Sequence, residues 1–253
     1  MPSSVRAGGR ILVVDVGGTH VKASFSHRPN RRLRFPSGPT MTPVEMVRQI
    51  RQALGGERFD RVSIGYPGLV RRGTIVREPF HLGKGWVGFD FTRAFRRPTR
   101  VLNDAAMQAL GSYRGGSMLF LGLGSGLGSA MIVDGVLLPM ELAHLPYRKG
   151  RTFEEYVGED ARRHEGRRRW QKEVFAVIDT LEAALEPDYV VVGGGNVRKL
   201  RRLPPGAHRG DNRNAFLGGI RAWQTPAGRS RGSGIDLGKP PARSSPGRKA
   251  RGS

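Results

Sequence analysis

Ile11-Leu-Val-Val-Asp-Val-Gly-Gly-Thr-His-Val-Lys-Ala-Ser-Phe25 sets an apolar, β-branched run against an aspartate, a Gly-Gly turn and a second apolar run. It reads as a β-hairpin turning around Asp15-Val-Gly-Gly-Thr19, because β-branched residues favour strands and paired glycines permit a tight return. The same grammar recurs twice. Residues 118–123 lead into Gly124-Ser-Gly-Leu-Gly128, the chain returns through 129–133, and Asp134-Gly135 makes the next turn. Residues 188–192 then lead into Gly193-Gly-Gly195. Between these lie a strand at 61–66 before Pro67-Gly68 and another at 100–102 before Asn103-Asp104. Helical spacing covers 42–54, 105–113, 153–164, 170–185 and 214–223, the first with Thr42 as cap and Pro43 at its first position. Strands that end in glycine or acidic turns and alternate with helices define an α/β class.

Composition narrows the chemistry. The chain has 253 residues, with 43 Lys and Arg against 21 Asp and Glu, a formal charge of +22. At roughly 100–200 residues per domain the length fits one large or two small domains. Cysteine is absent, which excludes disulfides, thiolate metal sites and a cysteine nucleophile together, so histidine and carboxylates must carry any chemistry. The most apolar stretch, 118–140, is broken by five glycines, two serines and Asp134, so no membrane span is expected. The first ten residues lack the apolar core of a signal peptide, which predicts a soluble, cytoplasmic protein. Residues 224–253 are Gly, Pro, Ser and Arg with few large apolar groups, and they predict a disordered basic tail carrying +6 of the charge.

Each of the three glycine turns follows an apolar strand, where a backbone without Cβ can bring N–H groups against phosphate oxygens. Taken singly, each could equally be an ordinary tight turn. None has the G-x-x-x-x-G-K-[ST] or strand-borne G-x-G-x-x-G spacing; Gly83-Lys-Gly-Trp-Val-Gly88 lacks the preceding strand.

Together the motifs resemble the ROK sugar kinases of the actin and hexokinase superfamily. Asp15-Val-Gly-Gly-Thr-His-Val-Lys22 resembles that family's first phosphate motif, Gly65-Tyr-Pro-Gly68 its Gly-x-Pro-Gly segment, and Asn103-Asp104 its catalytic pair. Leu121 to Gly135 resembles the second phosphate loop, Glu141-Leu-Ala-His144 the Glu-x-Gly-His sugar motif, and Val191-Val-Gly-Gly-Gly195 the adenosine motif. Six motifs in order cover residues 11–223. Within the family the polyphosphate glucokinases are most similar: they also lack the three zinc-binding cysteines after the sugar motif, and His81-Leu-Gly-Lys-Gly-Trp86 resembles their Asn-x-x-Lys-x-Trp segment.

The resemblance implies a two-domain ribonuclease H-like (actin-like ATPase) fold with an inter-domain cleft. One α/β domain would span 1–102 and a second 103–223, with the final helix a candidate to pack back onto the first. It implies phosphorylation of the 6-hydroxyl of glucose or a close hexose, with polyphosphate or ATP or both as donor, in a homodimer by family habit. Asp104 would be the general base, although aspartate also suits the N-cap of the helix it precedes. Asn103, Glu141, His144 and Glu154 would hold the sugar hydroxyls, with Glu155 the alternative to Glu154 and a solvated helix face the plainer reading of either. Asp15 would hold Mg²⁺ through water, since Mg²⁺ keeps much of its hydration shell; no zinc is expected. Gly17, Gly18, Thr19 and Lys22 would face the phosphates opposite Gly124, Ser125 and Gly126, and Gly193, Gly194 and Gly195 would lie against adenine. Lys22 could equally be a surface charge at a strand end. Ala143 and His81 depart from the family pattern and leave sugar preference open.

Two other functions fit parts of the sequence. ROK proteins include sugar-sensing repressors, which resemble the kinase fused to an N-terminal helix-turn-helix module; only about ten residues precede Ile11, and Asn103-Asp104 is retained, so the enzyme is expected. The charge and the run Arg162 to Arg169 would suit a nucleic-acid binder. With 36 arginines spread along the whole chain and no recognition motif, only non-specific nucleic-acid contact is expected.

Overall fold

A computed structural model describes residues 9–211 and 213–224, together with the backbone of a short strand at Ile235–Asp236. The expected tail otherwise lies outside the described residues.

The opening hairpin is β1 (Ile11–Val16) and β2 (His20–Phe25), antiparallel across Gly17-Gly18 with Asp15 opposite Lys22. β3 (Arg28–Pro36) extends this meander, α1 (Pro43–Leu54) crosses over, and β4 (Arg61–Tyr66) returns parallel to β1. Thr42 caps α1 as its sequence predicts, its hydroxyl accepting the Glu45 N–H at 3.2 Å. A small hairpin of β5 (Val70–Arg71) and β6 (Thr74–Ile75) and the short α2 (Phe91–Phe95) precede β7 (Thr99–Asn103), which lies parallel to β4. The first sheet therefore runs β3-β2-β1-β4-β7.

After α3 (Asp104–Ser112) the plan repeats. β8 (Ser117–Leu123), β9 (Leu127–Val133) and β10 (Val136–Met140) form a second antiparallel meander, followed by α4 (Glu154–Val157) and α5 (Glu159–Leu185). β11 (Tyr189–Gly193) and β12 (Ala207–Arg209) then add parallel to β8, α6 (Asn214–Arg221) follows, and β13 (Ile235–Asp236) pairs with Val136 and Leu137 of β10. The second sheet runs β12-β11-β8-β9-β10-β13, so each half places a glycine turn at the end of its central strand. Several strands were hidden in the sequence: β3 because four arginines interrupt its apolar pattern, and β5, β6 and β12 because they are only two or three residues long. The helices expected at 153–164 and 170–185 are divided differently. α4 stops at Gly158, α5 runs on to Leu185, and Gly166 (φ 77°) kinks it.

Both faces of the central strands are buried, which explains their unbroken apolar runs. Leu12 and Val14 of β1 enter a core with Ile50, Ile64 and Trp86, while Ile11 and Val13 enter a second core between the sheets. β8 divides likewise: Leu119 and Leu121 pack with Trp170, Val174 and Ile178 of α5, and Met118 and Phe120 join Met107 and Leu110 of α3 in the shared core.

α6 packs back onto the first sheet. Ser63 of β4 donates a buried hydrogen bond to the Gly219 carbonyl at 2.6 Å and accepts one from Trp223 Nε1 at 2.8 Å, while Arg61 and Arg100 flank the Trp223 ring. α3 and α6 cross closely because Gly218 has no Cβ; a methyl there would strike the Met107 carbonyl, a backbone atom that cannot rotate away. Gly218→Ala is expected to cost about 3 kcal/mol by overpacking. A fall of roughly 5–10 °C in the unfolding midpoint is expected, against little change for Gly195→Ala, whose Cβ would meet open space. Equal midpoints for the two variants would refute this account of the crossing.

Candidate active site

β7 delivers Asn103 and Asp104 to the start of α3. The capping role belongs to Asn103: its Oδ1 accepts the N–H groups of Ala105 (2.9 Å) and Ala106 (3.2 Å), and its Nδ2 donates to the Gly68 carbonyl at 3.0 Å. The Pro67-Gly68 turn is thereby tied to the helix start. Asp104 is the first helical residue, with Oδ1 accepting the Ala105 N–H at 2.8 Å. Burial pushes its carboxyl up from 3.8 to about 7, reinforced by the negative charges of Asp15 and Glu141 and opposed by the Ala105 N–H.

Asp15 sits near the end of β1, with Lys22 Nζ 3.5 Å from its Oδ2. Burial raises its carboxyl and Lys22 only partly offsets that. In the turn beyond it, the Gly17 N–H donates to the His20 carbonyl (3.0 Å), and Ser37 donates from Oγ to Gly17 (2.6 Å) and from N–H to Thr19 (3.0 Å). The turn's carbonyls are thus tied inward. The N–H groups of Gly18 and exposed Thr19 carry no partner among the described residues. Gly18 also admits His81 of the segment after β6, whose Cβ would lie 3.2 Å from a Cβ at that position.

The second turn is held from three sides. The Gly124 carbonyl accepts from Asn196 Nδ2 (2.8 Å), the Ser125 carbonyl from the Glu159 N–H (3.1 Å), and the Gly126 carbonyl from the Gly124 N–H (3.0 Å). Glu154 fills the space that a Cβ on Gly126 would need, and its Oε2 accepts the Leu127 N–H at 3.0 Å. Glu155 turns away, accepting instead from the Thr152 N–H (2.7 Å) and Oγ1 (3.0 Å). Of the two glutamates, Glu154 is the one at the loop.

Glu141 precedes a 3-10 turn, Leu142–His144, which brings His144 into its field. Burial raises the Glu141 carboxyl; His144 and Arg77 lower it, and Glu154 raises it. Buried Ser129 fixes this turn, donating to the Met140 carbonyl (3.0 Å) and accepting the Leu142 N–H (3.1 Å). Ala143 is not at positive φ, and its methyl is buried in the core beneath α5 with Leu119 and Trp170, so replacing glycine there costs no backbone strain.

The third glycine cluster packs mainly against the protein. A Cβ on Gly193 would strike the Phe120 ring, and one on Gly194 (φ 82°) the Leu123 backbone, whereas Gly195 faces open space. Among the described residues no group of three His, Asp or Glu side chains is arranged around a common metal position, and no helix is long and apolar enough to cross a membrane. Cavities of about 470 Å³ beside Arg51 and Arg93 and about 330 Å³ beside Arg32 and Phe216 are lined by none of these residues.

No family model matches the chain. The polyphosphate glucokinase of Mycobacterium tuberculosis is 27% identical over 213 residues, covering 76% of this chain and 80% of that protein. Among solved structures, the inorganic polyphosphate/ATP-glucomannokinase of Arthrobacter sp. strain KM superposes with a TM-score of 0.73 at 24% identity, over 86% of this chain and all of that one. A ROK family glucokinase of Streptomyces griseus, solved with glucose and AMPPNP, gives 0.66 at 18%, over 85% and 99%. The chain is similar to the polyphosphate glucokinases in sequence and to ROK sugar kinases in fold. Its two-sheet α/β fold is the fold of those solved sugar kinases.

Against the ROK motifs, the structure brings Asp15, Asp104, Glu141, His144 and Glu154 into one electrostatic neighbourhood, and commits the Asn103 amide to helix and turn. Three groups escape motif reading. Ser129 and Asn196 stand inside or beside quoted motifs, but their roles depend on which carbonyl they reach. Arg77 lies in no motif and reaches Glu141 only through the fold.

Proposed function

We propose that this protein is a ROK-type sugar kinase that transfers the terminal phosphoryl group of polyphosphate, ATP or both to the 6-hydroxyl of glucose or a close hexose. The observation that carries the reading is Asp104: a buried carboxyl held near neutrality, in the field of Asp15 on one side and Glu141 on the other. A general base works best with its pKa near the operating pH. The sugar oxygen attacks the terminal phosphorus, the bridging P–O bond breaks, the shortened donor leaves, and the hydroxyl proton passes to the Asp104 carboxylate.

Glu141, His144 and Glu154 would hold the sugar hydroxyls, with Asn103 fixing the floor beneath them. The N–H groups of Gly18, Thr19, Ser125 and Gly126, without partners among the described residues, would cradle donor phosphates, with Lys22 supplying positive charge. Asp15 suits Mg²⁺: its carboxylate is a hard oxygen donor left under-compensated by Lys22, and Mg²⁺ needs few protein ligands when water and phosphate complete its shell. When bound, Mg²⁺ would neutralise charge on the donor phosphates. Gly195 would offer a surface to adenosine when a nucleotide is the donor. The relatives named above support a glucokinase with polyphosphate or ATP as donor, and family habit supports a homodimer; the expected location is the cytoplasm.

The deciding assay supplies Mg²⁺ and saturating glucose with polyphosphate or ATP in turn and measures hexose 6-phosphate. Product is expected with at least one donor, and the ratio of kcat/KM values ranks them. Hexose binding without transfer from either donor would overturn the kinase reading in favour of a sugar sensor.

A further inference from the structure

We infer that Asn196 is a positioning residue for phosphoryl transfer: it aims the Ser125 N–H at the donor phosphate, so the segment after β11 acts through the second phosphate loop whichever donor is bound. This rests on the kinase reading above.

The argument comes from peptide geometry. In a trans peptide the carbonyl and the following N–H point in opposite directions within one rigid plane, and no cis peptide interrupts the described residues. Asn196 Nδ2 holds the Gly124 carbonyl at 2.8 Å, so the other end of that plane, the Ser125 N–H, is turned away from Asn196. The Glu159 N–H holds the Ser125 carbonyl at 3.1 Å and turns the Gly126 N–H in the same manner. In the next plane the Gly126 carbonyl is held by Gly124 and the Leu127 N–H goes to Glu154. Of three successive planes, two therefore present N–H groups without a protein partner among the described residues, and one is wholly internal.

Asn196 can do this because of Gly193 and Gly194. β11 follows β8 in parallel register to Gly193 opposite Gly122, and Gly194 at φ 82° crosses directly against the Leu123 backbone. That close approach brings the side chain at 196 under the turn. Asn196 is 6% exposed, so its bond to Gly124 is shielded from competing water. The missing side chains at Gly193 and Gly194 accommodate Phe120 and Leu123, which assigns them to bracing the loop.

The test compares Asn196→Ala and Asn196→Ser with wild type. Asn196→Ala is expected to lower kcat/KM for ATP and polyphosphate alike by about tenfold, the effect of one misdirected hydrogen bond to a charged group, with hexose KM within about twofold. Asn196→Ser, which keeps a donor, should recover part of the loss. Calorimetry with tripolyphosphate alone should show about tenfold weaker binding to Asn196→Ala, a readout that survives even if wild type phosphorylates no hexose. A loss confined to ATP would make 193–196 an adenosine contact and overturn the proposal. Unchanged tripolyphosphate affinity with only a lower unfolding midpoint would overturn it as well, leaving Asn196 a packing residue.

Discussion

Asp104→Asn is expected to lower kcat by about 10²–10⁴-fold while glucose affinity stays within a few-fold of wild type. The substitution keeps the shape of the side chain and its acceptor oxygen toward the Ala105 N–H, but removes the carboxylate proposed to take the sugar proton. Asn103 remains the helix cap, so the geometry of α3 should survive. The pH profile offers an independent check. A base whose carboxyl is pushed up to about 7 is increasingly protonated below that pH, so kcat/KM should fall tenfold per unit on the acid side. Raising Mg²⁺ should move that limb to lower pH, because a cation at Asp15 opposes the charge that lifts Asp104. Wild-type turnover in Asp104→Asn, or a flat profile between pH 5.5 and 8, would remove Asp104 from the chemistry.

Much of this site could be read from residue order, and the reason is physical. Strands buried on both faces, such as Ile11–Val16 and Ser117–Leu123, announce themselves as apolar runs, and in the glycine turns that end them some backbone N–H groups have no partner among the described residues. Edge strands do not: β3 exposes Arg28, Arg32 and Arg34 and shows its pattern only when paired with β2. Choices between sequence neighbours were equally closed to inspection. Asn103 and Asp104 are both good helix caps, and only the path of β7 gives the cap to one and leaves the other carboxyl buried beside Asp15. Glu154 and Glu155 differ by a turn of 100° about α4, which sends one to the second glycine turn and the other to Thr152. Arg77 and the Gly218 crossing depend on segments far apart in the chain, and no local pattern encodes them.

In the ligand-free, Mg²⁺-free protein, Asp104→Asn should also be more stable than wild type above pH 7. A carboxyl whose folded value is raised above its unfolded one binds its proton more tightly in the folded state, so it favours folding most below pH 3.8 and loses that contribution as pH climbs through about 7. At roughly 1.4 kcal/mol per unit, the climb removes about 4 kcal/mol. Burial raises Asp15 too, so it drives stability in the same direction. Asparagine at 104 cannot ionise and is exempt from the penalty. Its unfolding midpoint at pH 8 should therefore exceed that of wild type by about 10 °C, and the gap should close toward pH 4. Mg²⁺ with a donor should narrow it at pH 8 by neutralising the same charges in wild type. A variant no more stable than wild type at pH 8 would mean that Asp104 is not held against its own charge, and the poised base would lose its physical basis. A variant that gains stability while losing turnover would show that this buried charge is kept for catalysis at the expense of the fold.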